Sequence, residues 1–124
     1  MMPANTRSQR LAQAAFTQIA IHTGHGQRKP EKDFVSAVKK LPALIHTCGL
    51  AQAVAFALAK KDHELVGYLA EVLRKCGHPS VADARTLDHL ARTSELNAYL
   101  RLSRDAIAAA TWLKRYVEAA GETD

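Results

Sequence analysis

Apolar residues recur every three or four positions along most of the chain, which is the period of helices that bury one face. In the first such stretch, from about Thr6 to Thr23, Thr6 and Gln9 have the spacing of a capping box. The inward positions of this stretch are Leu11, Ala12, Ala15, Phe16, Ile19 and Ala20. Segment 24–30 contains two glycines and a proline, and it predicts a mobile basic loop before the second helix.

The second and third helical stretches are separated by Gly49. The second begins near Pro30 or Glu31, because a proline and acidic residues suit a first helical turn. Pro42 predicts a kink or a restart within it, because proline lacks an amide and clashes with the preceding turn. The run 50–60 is rich in alanine and leucine, with Gln52 as its only interior polar residue. It predicts a central helix that is buried on most sides.

The second half of the chain continues the helical pattern. Asp62 is expected to cap a fourth helix, and Gly67 inside that helix predicts a close crossing with a neighbour. Ser80–Asp83 matches a second capping box. The last segment, 94–119, is either one helix or two, with Ser103 as the cap of a fresh start. The pattern therefore predicts five to seven short helices packed as a compact all-α bundle.

Composition agrees with a helical domain of modest size. The chain has 124 residues, of which 48% are hydrophobic and only 6% aromatic, so residues typical of strands are scarce. This length predicts a single domain over 1–124. Residues 1–5 and 120–124 are expected to fray.

Nothing in the sequence predicts export or a membrane span. The N-terminal residues are polar, and the longest apolar-rich stretch, 43–59, is broken by polar residues and a glycine. Cys48 and Cys76 do not form a Cys-x-x-Cys pair, so both are expected to be reduced and buried. A cytoplasmic location is therefore expected.

Positive charge is concentrated in the first half of the chain. Residues 1–61 carry nine cations and two acids, a net charge of +7, whereas residues 62–124 carry eight cations and ten acids, a net charge of −2. Such a field attracts a polyanion without reading its sequence. A solvated basic face explains the same charge equally well, so charge alone does not decide between them.

The spacing of reactive residues predicts no catalytic, cofactor or metal site. Cys48 and His46 lie two positions apart, so on a helix they point to different faces. His22 and His25 have a metal-chelating spacing that His78 could extend, but the ligand set is incomplete. A solvated loop is the preferred interpretation of these histidines. No glycine-rich phosphate loop of a known type is present.

A helix-turn-helix motif would give the chain a different function. Residues 43–49 would lead into 50–59 as the recognition helix, which presents mainly alanine where Arg, Asn, Gln or Ser should reach base edges. A helical DNA-binding transcriptional regulator is kept as the alternative function, and a metal-free nuclease as a third.

Two stretches carry a more specific signal. The first runs from Val38 to Phe56 and contains the pattern Pro-x-Leu-Ile-x-x-x-Gly-Leu-Ala. The second runs from Tyr99 to Ala106 and continues into Trp-Leu-Lys-Arg at 112–115. Together they resemble the Cmr small-subunit family, the small all-helical subunits of type III-B CRISPR effector complexes.

The resemblance implies a non-catalytic structural subunit with a part in antiviral defence. It implies assembly with other Cmr subunits, including the backbone subunit and further copies of the chain, and contact with guide RNA and target RNA. It implies no cofactor, metal, membrane or small-molecule substrate. Base pairing reads the sequence in such complexes, so the protein needs shape and phosphate contacts only.

The residues expected to form the RNA-binding face are basic and flank the two stretches. They are Lys39, Lys40, His46, Arg101, Arg104, Lys114 and Arg115. Trp112 and Tyr116 could stack on bases, as aromatic residues do in proteins that bind single strands. Their helical spacing with Leu113 favours a place in the core or in a contact between subunits.

Overall fold

The computed structural model describes residues 5–121, which form six helices and no strand. The helices are α1 (Arg7–His22), α2 (Lys32–Cys48), α3 (Leu50–Ala59), α4 (His63–Lys75), α5 (Ala84–Thr93) and α6 (Leu96–Ala119). This confirms the predicted all-α fold. The expected fraying of the termini concerns mostly residues 1–4 and 122–124, which lie outside the described part of the chain.

The long helix α6 organises the bundle. It runs parallel to α1, because Arg7 meets Asp105 near one end and Phe16 meets Tyr116 further along. It also packs extensively along α2. The Tyr99 hydroxyl, near the start of α6, accepts a hydrogen bond from the Ala51 amide just beyond the carboxyl end of α2, so these two helices run antiparallel. Helix α4 packs on α1 and α6, and α5 packs on α3 and α4.

One hydrophobic core joins all six helices. Seven leucines of this core have less than 2% of their surface exposed: Leu11, Leu50, Leu65, Leu69, Leu73, Leu87 and Leu113. Helix α2 adds Val35, Val38, Leu41 and Ile45. Most of these residues recur at the three- and four-residue spacing seen in the sequence, so burial of one stripe per helix accounts for the fold.

The predicted start of α1 is confirmed in detail. The Thr6 hydroxyl accepts a hydrogen bond from the Gln9 amide at 3.0 Å, and the Gln9 side chain accepts one from the Thr6 amide at 2.8 Å. This reciprocal pair is a capping box. It needs only residues three positions apart, which is why the sequence was sufficient to predict it.

The predicted restart at Pro42 and the predicted fresh start at Ser103 are absent. Helix α2 passes through Pro42 as one element, and α6 passes through Ser103. A proline removes one backbone hydrogen bond, and the buried stripe on both sides of Pro42 keeps α2 packed along α6 despite that loss. The Ser103 hydroxyl is buried without a hydrogen-bond partner among the described residues, so it does not act as a cap.

Two further local predictions were wrong. A Cβ added at Gly67 would meet no atom within 4 Å, so no neighbouring helix crosses closely there. Helix α5 is capped by Asp83, which accepts a hydrogen bond from the Thr86 amide at 2.8 Å, and not by Ser80. Asp62 does occupy the N-cap position of α4, without a side-chain hydrogen bond.

Burial also differs from expectation in the third helix and at the cysteines. Helix α3 buries one face only, and its Phe56 is 52% exposed. Both cysteines are free thiols; Cys48 is exposed and Cys76 is partly buried. Burial raises the pKa of the Cys76 thiol. Alanine-rich sequence therefore indicated a helix correctly but overstated how many of its sides are covered.

Candidate nucleic-acid interface

Three of the predicted RNA-binding residues lie along the solvent face of α6. Arg101, Arg104 and Arg115 are all exposed. At 3.6 residues per turn they fall within about 60° of one another around the helix, and the first and last are roughly 21 Å apart along it. We call these three residues the arginine stripe. It offers cations in one line along the outside of the bundle.

Lys114 lies off the arginine stripe. It is half-buried, and it is turned about 100° around the helix from Arg115. A single residue step has this effect in any α-helix, so neighbouring basic residues in sequence do not share a face.

The predicted RNA-binding residues of α2 also lie on two different faces of that helix. Lys39, Lys40 and His46 are all exposed. Lys39 and His46 are seven positions apart and therefore lie on one face of α2, whereas Lys40 is turned about 100° away from Lys39. Lys40 lines a cavity of about 410 Å³ together with Phe56 and Lys60. The seven predicted residues thus lie on more than one face of α2 and of α6.

A row of aromatic side chains borders the arginine stripe. The rings of Trp112 and Tyr116 stack with centroids 5.8 Å apart, and Tyr116 meets Phe16 of α1 edge-on at 5.4 Å. The Arg115 guanidinium lies 5.1 Å from the centre of the Trp112 ring. We call Phe16, Trp112 and Tyr116 the aromatic row. Phe16, expected to point inward, is 52% exposed, so the row lies at the surface.

A buried carboxylate that the sequence pattern did not predict lies behind the arginine stripe. Asp105 is only 7% exposed, although it lies within the apolar stripe of α6. It accepts hydrogen bonds from Arg7 of α1, from His78 Nε2 at 2.6 Å, and from Arg104 Nε at 3.4 Å. Its carboxylate therefore ties α1 and the α4–α5 connection to α6. The sequence signal that could have revealed this contact is the acidic residue at a position of the apolar stripe of α6.

The electrostatics of Asp105 follow from these partners. Burial by itself raises the pKa of a carboxyl group, because it disfavours the charged form. The hydrogen bonds from His78 and Arg7, together with the positive charge of Arg7, outweigh burial and hold the pKa of Asp105 below its ordinary value of 3.8. Asp105 is therefore ionised at neutral pH and fixes Arg7 and Arg104 at the surface.

A second buried polar group anchors the loop between α1 and α2. His22 is 4% exposed and its ring stacks on Phe34 with centroids 3.8 Å apart. One ring nitrogen is 2.9 Å from the Tyr68 hydroxyl and the other is 2.9 Å from Glu31. The interpretation as a solvated loop is therefore wrong for His22, although His25 is exposed. Tertiary contacts made by a helix-terminal histidine cannot be read from its local spacing.

The loop residues add to this arrangement. Arg28 donates two hydrogen bonds to the His22 carbonyl, at 2.9 and 3.1 Å. Hydrogen bonds from its own backbone and from His22 lower the pKa of Glu31. Both contacts hold segment 23–31 against the bundle. Among residues 5–121, no group of three or more His, Cys, Asp or Glu side chains is placed to hold a metal ion.

No described helix is both long enough and apolar enough to cross a lipid bilayer.

Comparison with known proteins identifies the family. The family model described as CRISPR-associated protein (Cas_Cmr5) matches residues 7–120. A Thermus thermophilus protein named CRISPR system Cmr subunit Cmr5 is 38% identical over 117 residues, which cover 92% of this chain and 95% of that protein. The crystal structure of a CRISPR-associated Cmr5 family protein from Thermus thermophilus is 36% identical and gives a TM-score of 0.76, covering 93% of this chain and 97% of that one. The resemblance seen in the two sequence stretches is thereby confirmed, and the chain belongs to the Cmr5 family of CRISPR-associated proteins.

Proposed function

We propose that this protein is a non-catalytic small subunit of a type III-B Cmr complex, and that it supports guide RNA and target RNA through the arginine stripe. The proposal places it in the cytoplasm, in antiviral defence, beside the backbone subunit and further copies of itself. The name of its Thermus thermophilus relative, a Cmr subunit, supports assembly with such a complex. The observation that carries the RNA contact is the alignment of three exposed arginines on one helix face.

The arrangement suits phosphates and not base edges. Arginine presents a planar fork of donors that matches phosphate oxygens, and no groove-reading helix with polar side chains accompanies the stripe among the described residues. Arg104 Nε donates a hydrogen bond of 3.4 Å to the buried Asp105 carboxylate, which helps to fix the position of the Arg104 side chain. A row of cations spaced over roughly 21 Å follows a nucleic-acid backbone without reading its sequence.

The buried polar groups support a structural role and not a catalytic one. Both ring nitrogens of His22 are within hydrogen-bond distance of fixed side chains, and the ring is 4% exposed. Asp105 is engaged by the side chains of Arg7, His78 and Arg104. A general acid or base must reach a proton of the substrate, and neither group is open to one in this structure.

Co-purification tests this function directly. The full-length chain is tagged in its native cell, purified gently, and compared with a variant that carries Arg101→Gln, Arg104→Gln and Arg115→Gln. We expect the wild type to bring other Cmr subunits and short RNAs with a common end. The variant should bring the same subunits with less RNA. Its RNA affinity should also depend less on salt, by roughly 0.7 in the log–log slope for each phosphate that the variant no longer neutralises.

Arg85→Gln is the matched control. Arg85 is an exposed arginine of α5, outside the arginine stripe, so its replacement should change neither RNA recovery nor the salt slope. Equal RNA recovery by the triple variant and by this control would remove the arginine stripe from the proposal. Recovery of the wild type alone, or with duplex DNA, would contradict the Cmr role and favour the transcriptional regulator. Prolonged incubation of the pure protein with labelled RNA tests for nuclease activity.

A further inference from the structure

The aromatic row continues into a recess at the end of the bundle. Phe16 and Tyr116 line one wall of a cavity of about 210 Å³, and its other lining residues are Ile19, Ala20, Thr23, Gly26, Ala119 and Ala120. All of these except Thr23 are apolar. The recess is therefore an open, apolar slot with two aromatic rings on one side.

A second recess adjoins the first and is basic. It measures about 400 Å³ and is lined by Gln27, Arg28 and Lys29 of the α1–α2 loop. Thr23, Gly26 and Ala120 line both recesses, so the two share a boundary. An apolar aromatic slot thus opens directly beside a cationic one. Arg115 supplies a further cation at the opposite end of the aromatic row, over Trp112.

We propose that these recesses hold unpaired nucleotides of single-stranded RNA, with a base stacked on the Phe16 ring next to Tyr116 and its phosphate beside Arg28 and Lys29. The choice of RNA over DNA rests on the proposed function. The mode of binding rests on the geometry of the two recesses. Stacking on aromatic rings with a cationic track alongside is the general chemistry by which single strands are held.

Charges of both signs meet beside the basic recess. The carboxyl ends of α1 and α6 adjoin the basic recess, and each such end carries about half a negative charge. Arg28 and Lys29 bring two full positive charges to the same place, and the Arg28 side chain donates two hydrogen bonds to the His22 carbonyl, the last carbonyl of α1. The two cations exceed the charge of the helix ends, and Glu31, which interacts with Arg28 and lies 2.9 Å from His22, offsets one of them.

The aromatic row should also distinguish single-stranded RNA from a duplex. A base that is paired and stacked within a duplex offers no free face to Phe16, whereas an unpaired base does. We therefore expect the aromatic row to add affinity for single strands only. The arginine stripe should add affinity for both forms, because both carry phosphates.

Trp112 provides a direct measurement, because it is the single tryptophan of the chain and stacks on Tyr116. Its fluorescence is followed while the full-length protein is titrated at low salt with an oligouridylate, and separately with an RNA duplex of equal phosphate content. We expect the single strand to quench Trp112 at lower concentration than the duplex does. Affinities for both RNAs are measured in parallel by fluorescence anisotropy.

Single substitutions test whether the aromatic row causes the preference for single-stranded RNA. Phe16→Ala should weaken binding of the single strand roughly tenfold and leave the duplex unchanged, since one base no longer stacks. Phe16→Tyr should restore binding because it keeps the ring. Phe56→Ala is the control: Phe56 is equally exposed at 52% but lies on α3, away from the row. Lys29→Gln should lower single-strand affinity and reduce its salt dependence.

The outcomes separate this inference from the proposed function. Equal single-strand binding by Phe16→Ala and Phe56→Ala, with no quenching of Trp112, would overturn the nucleotide site. The aromatic row would then be assigned to contact with a neighbouring protein, and the proposal for the arginine stripe would stand. Single-strand binding that depends on Phe16 but not on the three arginines would uphold the site and contradict the stripe.

Discussion

At the scale of single residues, Asp105 links three parts of the fold that are far apart in the chain. Its carboxylate lies in the apolar stripe of α6 and meets Arg7, 98 positions earlier, and His78, 27 positions earlier. Removing one partner of a buried polar group leaves the others unsatisfied, which costs more than the bond itself contributes. Asp105 therefore fixes the relative placement of α1, the α4–α5 connection and α6.

Asp105→Asn should lower the free energy of unfolding at pH 7 by about 1–3 kcal/mol, measured by urea denaturation. The folded pKa of Asp105 lies below its ordinary 3.8, so its contribution is present above pH 3.8 and is lost as pH falls through the folded pKa. The difference between wild type and variant should shrink accordingly in acid.

Asp88→Asn is the control for that measurement. Asp88 pairs with Arg92 one turn away on α5, at 3.4 Å, and such a surface pair contributes little. If Asp88→Asn lowered the free energy of unfolding as much as Asp105→Asn does, the two paired aspartates would contribute equally to stability. That result would contradict the role given to Asp105.

At the scale of elements, the corner between α2 and α3 depends on a backbone conformation that glycine alone adopts readily. Gly49 has φ 87° and ψ 157°, a region costly for any side chain. A Cβ there would also lie 3.3 Å from the Tyr99 hydroxyl, which accepts a hydrogen bond from the Ala51 amide. The corner is thus shaped by Gly49 and held by α6.

Two glycine substitutions should consequently have opposite effects. Gly49→Ala should destabilise the protein by about 1–3 kcal/mol. Gly67→Ala should stabilise it by about 0.5–1 kcal/mol, because Gly67 is helical and a Cβ there meets nothing within 4 Å. Thermal unfolding of both variants checks this. A Gly67→Ala variant that melts below the wild type would mean that another group occupies that space.

At the scale of the whole molecule, the six helices share one core and should unfold together. Small domains with one core usually unfold in a single cooperative step. Circular dichroism reports all the helices, whereas fluorescence reports Trp112 on α6 alone. Coincidence of the two curves is therefore a test of cooperativity, and separated midpoints would show that α6 melts on its own.

Leu113→Ala measures how much the shared core contributes. Leu113 is fully buried on α6, so its truncation should cost about 2–5 kcal/mol. Leu100→Ala is the matched control on the same helix, because Leu100 is 54% exposed and a surface change of this kind usually stays within about 0.5 kcal/mol. Equal losses from the two variants would contradict the central position of Leu113.

Much of the fold could be predicted because its signals are local. The capping box at Thr6, the helix end at Gly49 and the buried stripes each depend on residues within one or two turns. The run from Val38 to Phe56 also carried enough specific residues to indicate the family. The RNA-binding residues remain predictions, and the structure shows only which of them share a surface.

The sequence by itself therefore determined the helical class, most helix boundaries and the family. Only the tertiary structure decided that α2 and α6 continue through Pro42 and Ser103, that Phe16 is exposed, and that Asp105 is partnered. The physical reason is range: periodicity and capping act over a few positions, whereas burial and buried charge depend on contacts between residues far apart in the chain. The site belongs to the second kind, since Phe16 and Tyr116 meet only after α1 and α6 have packed.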